Sequence, residues 1–331
     1  MKKMINKPEN IVDEMISGML KAYPDYLRQV EDLPVVARKN KKEGKVALVS
    51  GGGSGHEPSH AGFVGYGMLD GAVAGEVFTS PSADKVYEAI KAVDGGAGVL
   101  LIIKNYSGDV MNFEMAAEMA AMDEIEVRKI IVDDDIAVEN STYTVGRRGI
   151  AGTVLVHKMV GAAAEKGYSL EELEAFGNKV IGNVKTMGMS LKACMVPTTG
   201  KLSFDLPEDE VEIGLGIHGE PGTHREKIQS ADAHVNHLLE KILGESNLSE
   251  NDEVAVLVNG LGETTLIELF IINNRVAEVL AAKNIKVYDT IVGNYMTSLD
   301  MGGFSISIVK LDDEMKEMLK AKADTPAFKR F

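Results

Sequence analysis

The stretch KVALVSGGGSGHEPSH, residues 45–60, governs the reading of the whole chain. A short apolar run, VALVS, ends in four glycines and a serine and then in His56, Glu57, Pro58 and His60. That is the pattern of a buried strand turning through glycine into a helix with proline near its first turn. Outward from it, GAVAGE (71–76), AGVLLIIK (97–104) and VRKIIVD (127–133) read as further strands. Helical periods near 82–92 and 109–121 separate them, which is βαβ grammar. Helices follow around 151–166 and 170–182. A second set of strands then begins: MSLKACMV (189–196), VEIGLGI (211–217), EVAVLVNG (253–260), IKVYDTIVG (285–293) and FSISIVK (304–310), with long helices near 222–243 and 264–282. The expected fold is α/β, with two α/β domains whose sheets are flanked by helices. Residues 1–185 carry the glycine loop, 186–331 form the second unit, and the boundary falls in the glycine- and asparagine-bearing stretch 177–190. VDEMISGMLKAYPDYL (12–27) has helical spacing, with either unit open as its packing partner.

Bulk composition narrows the function classes. The chain has 331 residues, 45% hydrophobic and 26% charged, enough for two ordinary cores. Its 35 Lys and Arg against 50 Asp and Glu give a net charge of −15, so the average surface repels nucleic acid and anionic lipid. A single cysteine, Cys194, cannot form an internal disulfide, and the N-terminus lacks a signal-like apolar core, so a cytoplasmic location is expected.

Four glycines exceed what a tight turn needs, and they would leave several N–H groups facing one ligand. No lysine follows them as a phosphate-binding P-loop requires, so no ATP site is expected in this chain. His56-Glu57-x-x-His60 formally matches a zinc-hydrolase motif, but Pro58 interrupts the continuous helix that such a pair needs. After AGVLLIIK comes Asn105-Tyr106-Ser107-Gly108-Asp109, at the strand end where α/β sheets bind ligands. Asp109 and Ser107 could equally be helix caps. Lys104 closes a buried apolar strand and so demands a carboxylate, a carbonyl or a ligand nearby. In the second half, Gly214-Leu215-Gly216-Ile217-His218-Gly219-Glu220-Pro221-Gly222 again ends a strand in glycines around a histidine, either structural or catalytic. His224, His234 and His237 fall in the expected next helix, where packing or surface roles suffice. Asp133-Asp134-Asp135 could hold a metal, but three adjacent carboxylates point in different directions and read better as a solvated strand end. Gly146-Arg147-Arg148-Gly149 could meet a phosphate or a partner, or begin a helix. Asn259-Gly260-Leu261-Gly262 and the turn 293–298 read as packing or interface turns.

Taken together, GGGSGHEPSH (51–60), GEVFTSP (75–81), IIKNYSGD (102–109), GRRGIAGT (146–153) and GIHGEPG (216–222) closely resemble the dihydroxyacetone kinase K subunit, and the resemblance spans essentially the whole chain. It implies a two-domain subunit that forms a homodimer and binds dihydroxyacetone between its domains. The ketone carbon would form a hemiaminal with His218. The substrate-holding positions would fall on Gly53, Ser54, Gly55, Lys104 and Asp109, with His56 as the acid/base histidine and Asp109 receiving the proton of the attacking hydroxyl. Neutral imidazole is a competent nucleophile toward a carbonyl, and glycerol, with no carbonyl, would escape such capture. The resemblance places no metal or cofactor in this chain. ADP or ATP with magnesium would belong to a separate L subunit, recharged in the ADP case by the M phosphocarrier of a phosphotransferase system. A different class of function in the same family is a dihydroxyacetone sensor that acts as coactivator of a transcription factor. A fatty-acid or small-ligand binding module of related shape is a third reading.

Overall fold

The structure is a computed structural model and describes residues 2–139 and 145–331. In chain order the first half comprises α1 (Ile11–Ala22), β1 (Leu27–Gln29), β2 (Val35–Arg38), β3 (Ala47–Ser54), β4 (Gly71–Val77), α2 (Ala83–Val93), β5 (Val99–Lys104), α3 (Ser107–Met122), β6 (Val127–Val132), α4 (Thr153–Glu165) and α5 (Leu170–Asn183). The second half comprises β7 (Val184–Lys192), β8 (Met195–Val196), β9 (Lys201–Leu202), β10 (Glu210–Ile213), β11 (His224–Lys227), α6 (Ala231–Glu245), β12 (Glu253–Gly260), α7 (Leu266–Ala282), β13 (Lys286–Gly293), β14 (Gly302–Lys310), α8 (Asp313–Lys320), β15 (Ala323–Asp324) and β16 (Lys329–Arg330).

Two six-stranded sheets result. The first has the order β1-β2-β4-β3-β5-β6, in which β4, β3, β5 and β6 run parallel. Strands buried on both faces read as continuous apolar runs, which is why VALVS and VLLIIK show no polar alternation. Their side chains still divide by period 2: Ala47, Val49, Leu101 and Ile103 face α2 and α3, whereas Leu48, Leu100 and Ile102 face α1, α4 and α5. The second sheet has the order β11-β10-β7-β14-β12-β13, antiparallel except for β12 with β13. Val254, Val256 and Val258 pack under α6 and α7, and Ala255 and Leu257 join the same cluster as α4 and α5. Helix α4 therefore lies between the sheets, and its residues Thr153–Ala164 are all buried, as an apolar helix with no polar face should be.

Several boundaries depart from the sequence pattern. The helix expected directly after the glycine loop is a turn followed by one 3₁₀ turn at Ala61–Phe63. The strand expected over 211–217 stops at Ile213, and the helix expected from 222 begins at Ala231, because 224–227 pair with β10 as the edge strand β11. Helix α1 packs beside β4, burying Val12 and Ile16. Among the described residues no helix is long and apolar enough to cross a membrane.

The decisive topological feature is β3. The chain leaves it for β4 on one side and returns to β5 on the other, so the carboxyl ends of β3 and β5 flank a switch point, where open α/β sheets bind ligands.

Candidate active site

Gly51–Ser54 and Lys104 close the two strands at this switch point. Gly52 has φ +149°, and a Cβ there would sit 2.4 Å from Lys104 Nζ, so glycine makes room for the lysine. Lys104 is fully buried, its Nζ 3.1 Å from the Gly51 carbonyl, 3.1 Å from His60 Nε2 and 3.5 Å from Asp109 Oδ2. These supply the carboxylate and carbonyl that a buried lysine demands. Asp109 sits in the first turn of α3, where the N-cap is Tyr106 and no side-chain cap forms, so its carboxylate is spent on Lys104. The second oxygen, Oδ1, is buried with no hydrogen-bond partner.

The two histidines of the glycine loop go separate ways. His56 Nδ1 lies 2.8 Å from the Thr297 carbonyl; a carbonyl only accepts, so Nδ1 carries the hydrogen and Nε2 is left as a bare, buried acceptor. Burial, then the neighbouring His218 and Lys104, hold the His56 imidazole well below the ordinary histidine range. His60 instead accepts from Lys104 and meets His157 Nε2 of α4 at 2.9 Å, and burial with Lys104 pushes His157 down to about 3. The two rings of the His56-x-x-x-His60 motif thus turn to different partners. The turn 293–298 packs against the loop: Ser59 donates to the Tyr295 carbonyl and the Thr297 hydroxyl to the Glu57 carbonyl.

From the second half, the loop between β10 and β11 brings His218 edge-on to His56, with ring centroids 4.7 Å apart. Glu220, buried, holds it twice: Oε1 is 2.9 Å from His218 Nδ1 and Oε2 accepts the His218 backbone N–H at 2.9 Å. Burial alone would raise the Glu220 carboxyl, but His218 and Arg148 outweigh it and hold it down at about 2. In the neutral ring a carboxylate on Nδ1 keeps the hydrogen there, so that form of His218 presents a lone pair on Nε2, and no other hydrogen bond engages that ring among the described residues. A Cβ at Gly216 would lie 2.1 Å from Glu220 Oε2, which gives that glycine its reason.

Behind the loop stands a buried ion pair from the first half. Arg148 Nη2 lies 2.6 Å from Asp135 Oδ2 and donates to the Gly214 carbonyl at 2.7 Å. Burial pushes Asp135 up to about 6 against the pull of Arg148. The structure corrects the reading of the aspartate run and narrows the readings left open for Arg148. Asp134 and Asp135 are buried rather than solvated, Asp134 accepting from the Ile150 and Gly152 backbones, and Arg148 is walled in and unable to meet a partner. Arg147 pairs with Glu245 on the surface.

A cleft of about 480 Å³ opens among Gly53, Phe78, Tyr106, Asp109 and His218. Phe78, at φ 57°, stacks on His56, and the Tyr106 ring meets His218 edge-on at 4.6 Å. Left-handed backbone at a non-glycine residue costs on the order of 1–3 kcal/mol and clusters at functional sites. Of the positions singled out in the sequence, Gly53, Asp109 and His218 line the cleft, His56 adjoins it and Lys104 lies beneath Asp109. Ser54 and Gly55 shape the loop instead: the Ser54 hydroxyl donates to the Gly75 carbonyl and Gly55 N–H to the Glu57 carboxylate. Sequence reasoning missed Glu220, Tyr106, Phe78 and the structural duty of Arg148. Only Glu220, two residues from His218 inside a glycine frame, offered a local signal.

The Dak1 domain family matches residues 17–327. The "PTS-dependent dihydroxyacetone kinase 1, dihydroxyacetone-binding subunit DhaK" of Listeria innocua is 56% identical over 99% of this chain and 100% of that protein. Among solved structures, the dihydroxyacetone kinase of C. freundii superposes with TM-score 0.92 at 37% identity, over 99% of this chain and 60% of that one. A dihydroxyacetone kinase operon co-activator superposes with TM-score 0.91 at 37% identity, over 96% of this chain and 98% of that one. Five motifs in order, the switch-point site they build and a match that spans nearly the whole chain agree: this chain belongs to the Dak1 domain family.

Proposed function

We propose that this chain is the dihydroxyacetone-binding subunit of a dihydroxyacetone kinase, and that it holds its ketone covalently on His218. The observation that carries this reading is the pairing of His218 Nδ1 with Glu220, which leaves Nε2 free to attack. Nε2 forms the bond to the carbonyl carbon and the π pair moves to oxygen; Glu220 takes the Nδ1 proton and releases it to solvent, and solvent at the cleft protonates the oxygen, a net transfer of one proton from Nδ1 to oxygen. The product is a neutral hemiaminal. His56 Nε2, unprotonated at rest, acts as a base or hydrogen-bond acceptor toward substrate hydroxyls, the acid half of its expected role requiring prior protonation. The free Asp109 Oδ1 receives the proton of the hydroxyl that attacks the phosphoryl group. A covalent anchor at the far end of so small a substrate supplies orientation, worth effective molarities on the order of 10⁵–10⁸ M in favourable cases.

The phosphoryl donor is a separate L subunit carrying ADP and magnesium, recharged through the M phosphocarrier, with an ATP-using L subunit as the variant. The full-length match to a relative named as a dihydroxyacetone-binding subunit supports this division, and the chain works in the cytoplasm beside those partners. The chain acts as a homodimer, and the exposed apolar side of α7, with Leu266, Ile267, Phe270 and Ile271 each more than half exposed, is the face suited to it.

The test is formation of dihydroxyacetone phosphate with a cognate L subunit and its phosphoryl source, together with the ¹³C signal of [2-¹³C]dihydroxyacetone on the protein. His218→Ala should abolish the adduct signal and lower turnover by about 10³-fold or more. Unchanged turnover in that variant would overturn covalent capture. The co-activator likeness favours a second reading, a dihydroxyacetone sensor for a transcription regulator. An adduct that forms normally while no L subunit with either donor yields product would decide for the sensor.

A further inference from the structure

On the far side of the second sheet lies a cluster that takes no part in this chemistry. His224 and Glu226 alternate along the edge strand β11 and so share one face, and α6 covers that face with His234 and His237, one turn apart. One ligand atom each from His224, Glu226 and His237 fall within 4.8 Å of one another. Glu226 Oε2 lies 3.6 Å from His224 Nε2 and 3.6 Å from His237 Nδ1, close to the spacing that two ligands about 2.0–2.1 Å from one zinc ion would have.

The surroundings prepare these atoms. The Thr223 hydroxyl donates to the Ile213 carbonyl and so accepts from His224 Nδ1 at 2.9 Å, which leaves His224 Nε2 as a lone pair toward Glu226. His234 Nε2 accepts the Gln229 N–H, so its hydrogen sits on Nδ1. That Nδ1 is buried without a hydrogen-bond partner, as is Glu226 Oε1, which it faces at 3.2 Å off the hydrogen-bond axis. A slight rotation of the carboxylate would satisfy both atoms and orient Glu226, as outer-shell partners do for metal-bound carboxylates. Next to the trio opens a cleft of about 540 Å³. Sequence reading assigned these histidines to packing or surface. The geometry brings together residues from two elements that no local pattern joined.

We propose that His224, Glu226 and His237 bind a divalent transition metal of the zinc class, with His234 orienting Glu226. Two imidazoles and a single carboxylate favour zinc, cobalt or nickel over magnesium or calcium, which seek all-oxygen sites. Because β11 follows directly on the loop carrying His218 and Glu220, the ion would tie the downstream end of that loop to α6.

The experiment uses the full chain without a histidine tag, titrated with Co²⁺ and followed by its visible absorption, then challenged with Zn²⁺. The expected result is one Co²⁺ per chain, displaced by Zn²⁺. His224→Ala, a change at a half-exposed edge-strand position, should weaken binding at least about 10-fold, and His218→Ala should leave it unchanged. A melting temperature that rises with Zn²⁺ in the parent but not in His224→Ala is the second readout, and matching far-UV circular dichroism shows that the variant folds. No saturable uptake, uptake indifferent to His224→Ala, or uptake lost in His218→Ala would each overturn the site.

Discussion

The floor of the cleft and its opposite wall hold their key side chains by different means. On the floor, Lys104 and Asp109 are fixed by regular structure: one ends β5, the other opens α3, and glycine at 52 clears the space between the strands. On the wall, His218 sits in an irregular loop and is held by Glu220, whose charge is steadied by Arg148, which is itself neutralised by Asp135. Both Arg148 and Asp135 belong to the first half of the chain. The cleft histidine of one half, His218, is thus positioned with the help of an ion pair of the other. On the floor the buried charges pair with each other across adjoining regular elements, whereas the loop residue depends on buried charge supplied from the other half of the chain.

The sharpest way to break this contrast is to remove the borrowed charge. Arg148→Ala leaves Asp135 buried without its partner and should cost about 3–5 kcal/mol of stability in urea or thermal melts. Arg147→Ala, which removes only a surface pair with Glu245, should stay within about 0.5 kcal/mol. Equal losses in the two variants would dissolve the distinction between adjacent arginines.

A smaller effect is expected on the floor. Asp109→Asn keeps the size of the side chain but removes the carboxylate proposed as proton acceptor, so turnover should fall at least about 10²-fold with adduct formation retained. If adduct and turnover fell together, Asp109 would belong to capture rather than to phosphoryl transfer.

The smallest loss in rate, about 10-fold, is expected for Glu220→Gln, where an amide can still contact Nδ1 but no longer fixes the tautomer by charge. Its clearer mark is on stability against pH. The folded-state value of about 2 lies below the ordinary 4.5, so the carboxylate's contribution is present above pH 4.5 and is lost as pH falls toward 2. That contribution is about 3 kcal/mol, and the variant's stability should be correspondingly flatter over this window. A wild-type profile equally flat there would mean that Glu220 does not carry the loop.

How much could be read in advance follows the same division. The switch-point loop, Lys104, Asp109 and the glycine-framed His218 all carry local signals, namely a charged residue closing an apolar strand and glycines in excess of what a turn needs. The Asp133–Asp135 run misled, because three adjacent carboxylates look solvated unless the arginine that neutralises one of them is known to lie against it. The same limit hid β11: HREK has no strand propensity to speak of, and it pairs because β10 offers an open edge.

The sequence by itself determined the alternation of strands and helices, the buried parallel strands and the residues flanking the switch point, since each is written in periodicity, glycine placement and the chemistry of neighbouring positions. Only the tertiary structure decided which nitrogen of each histidine is free, that Tyr106 and Phe78 wall the cleft, and that Arg148 serves a loop some seventy residues away. Those facts depend on which atoms meet across the interface of two sheets. Hydrogen-bond donors and buried charges choose partners by distance in space, and a chain's local pattern holds no record of that distance.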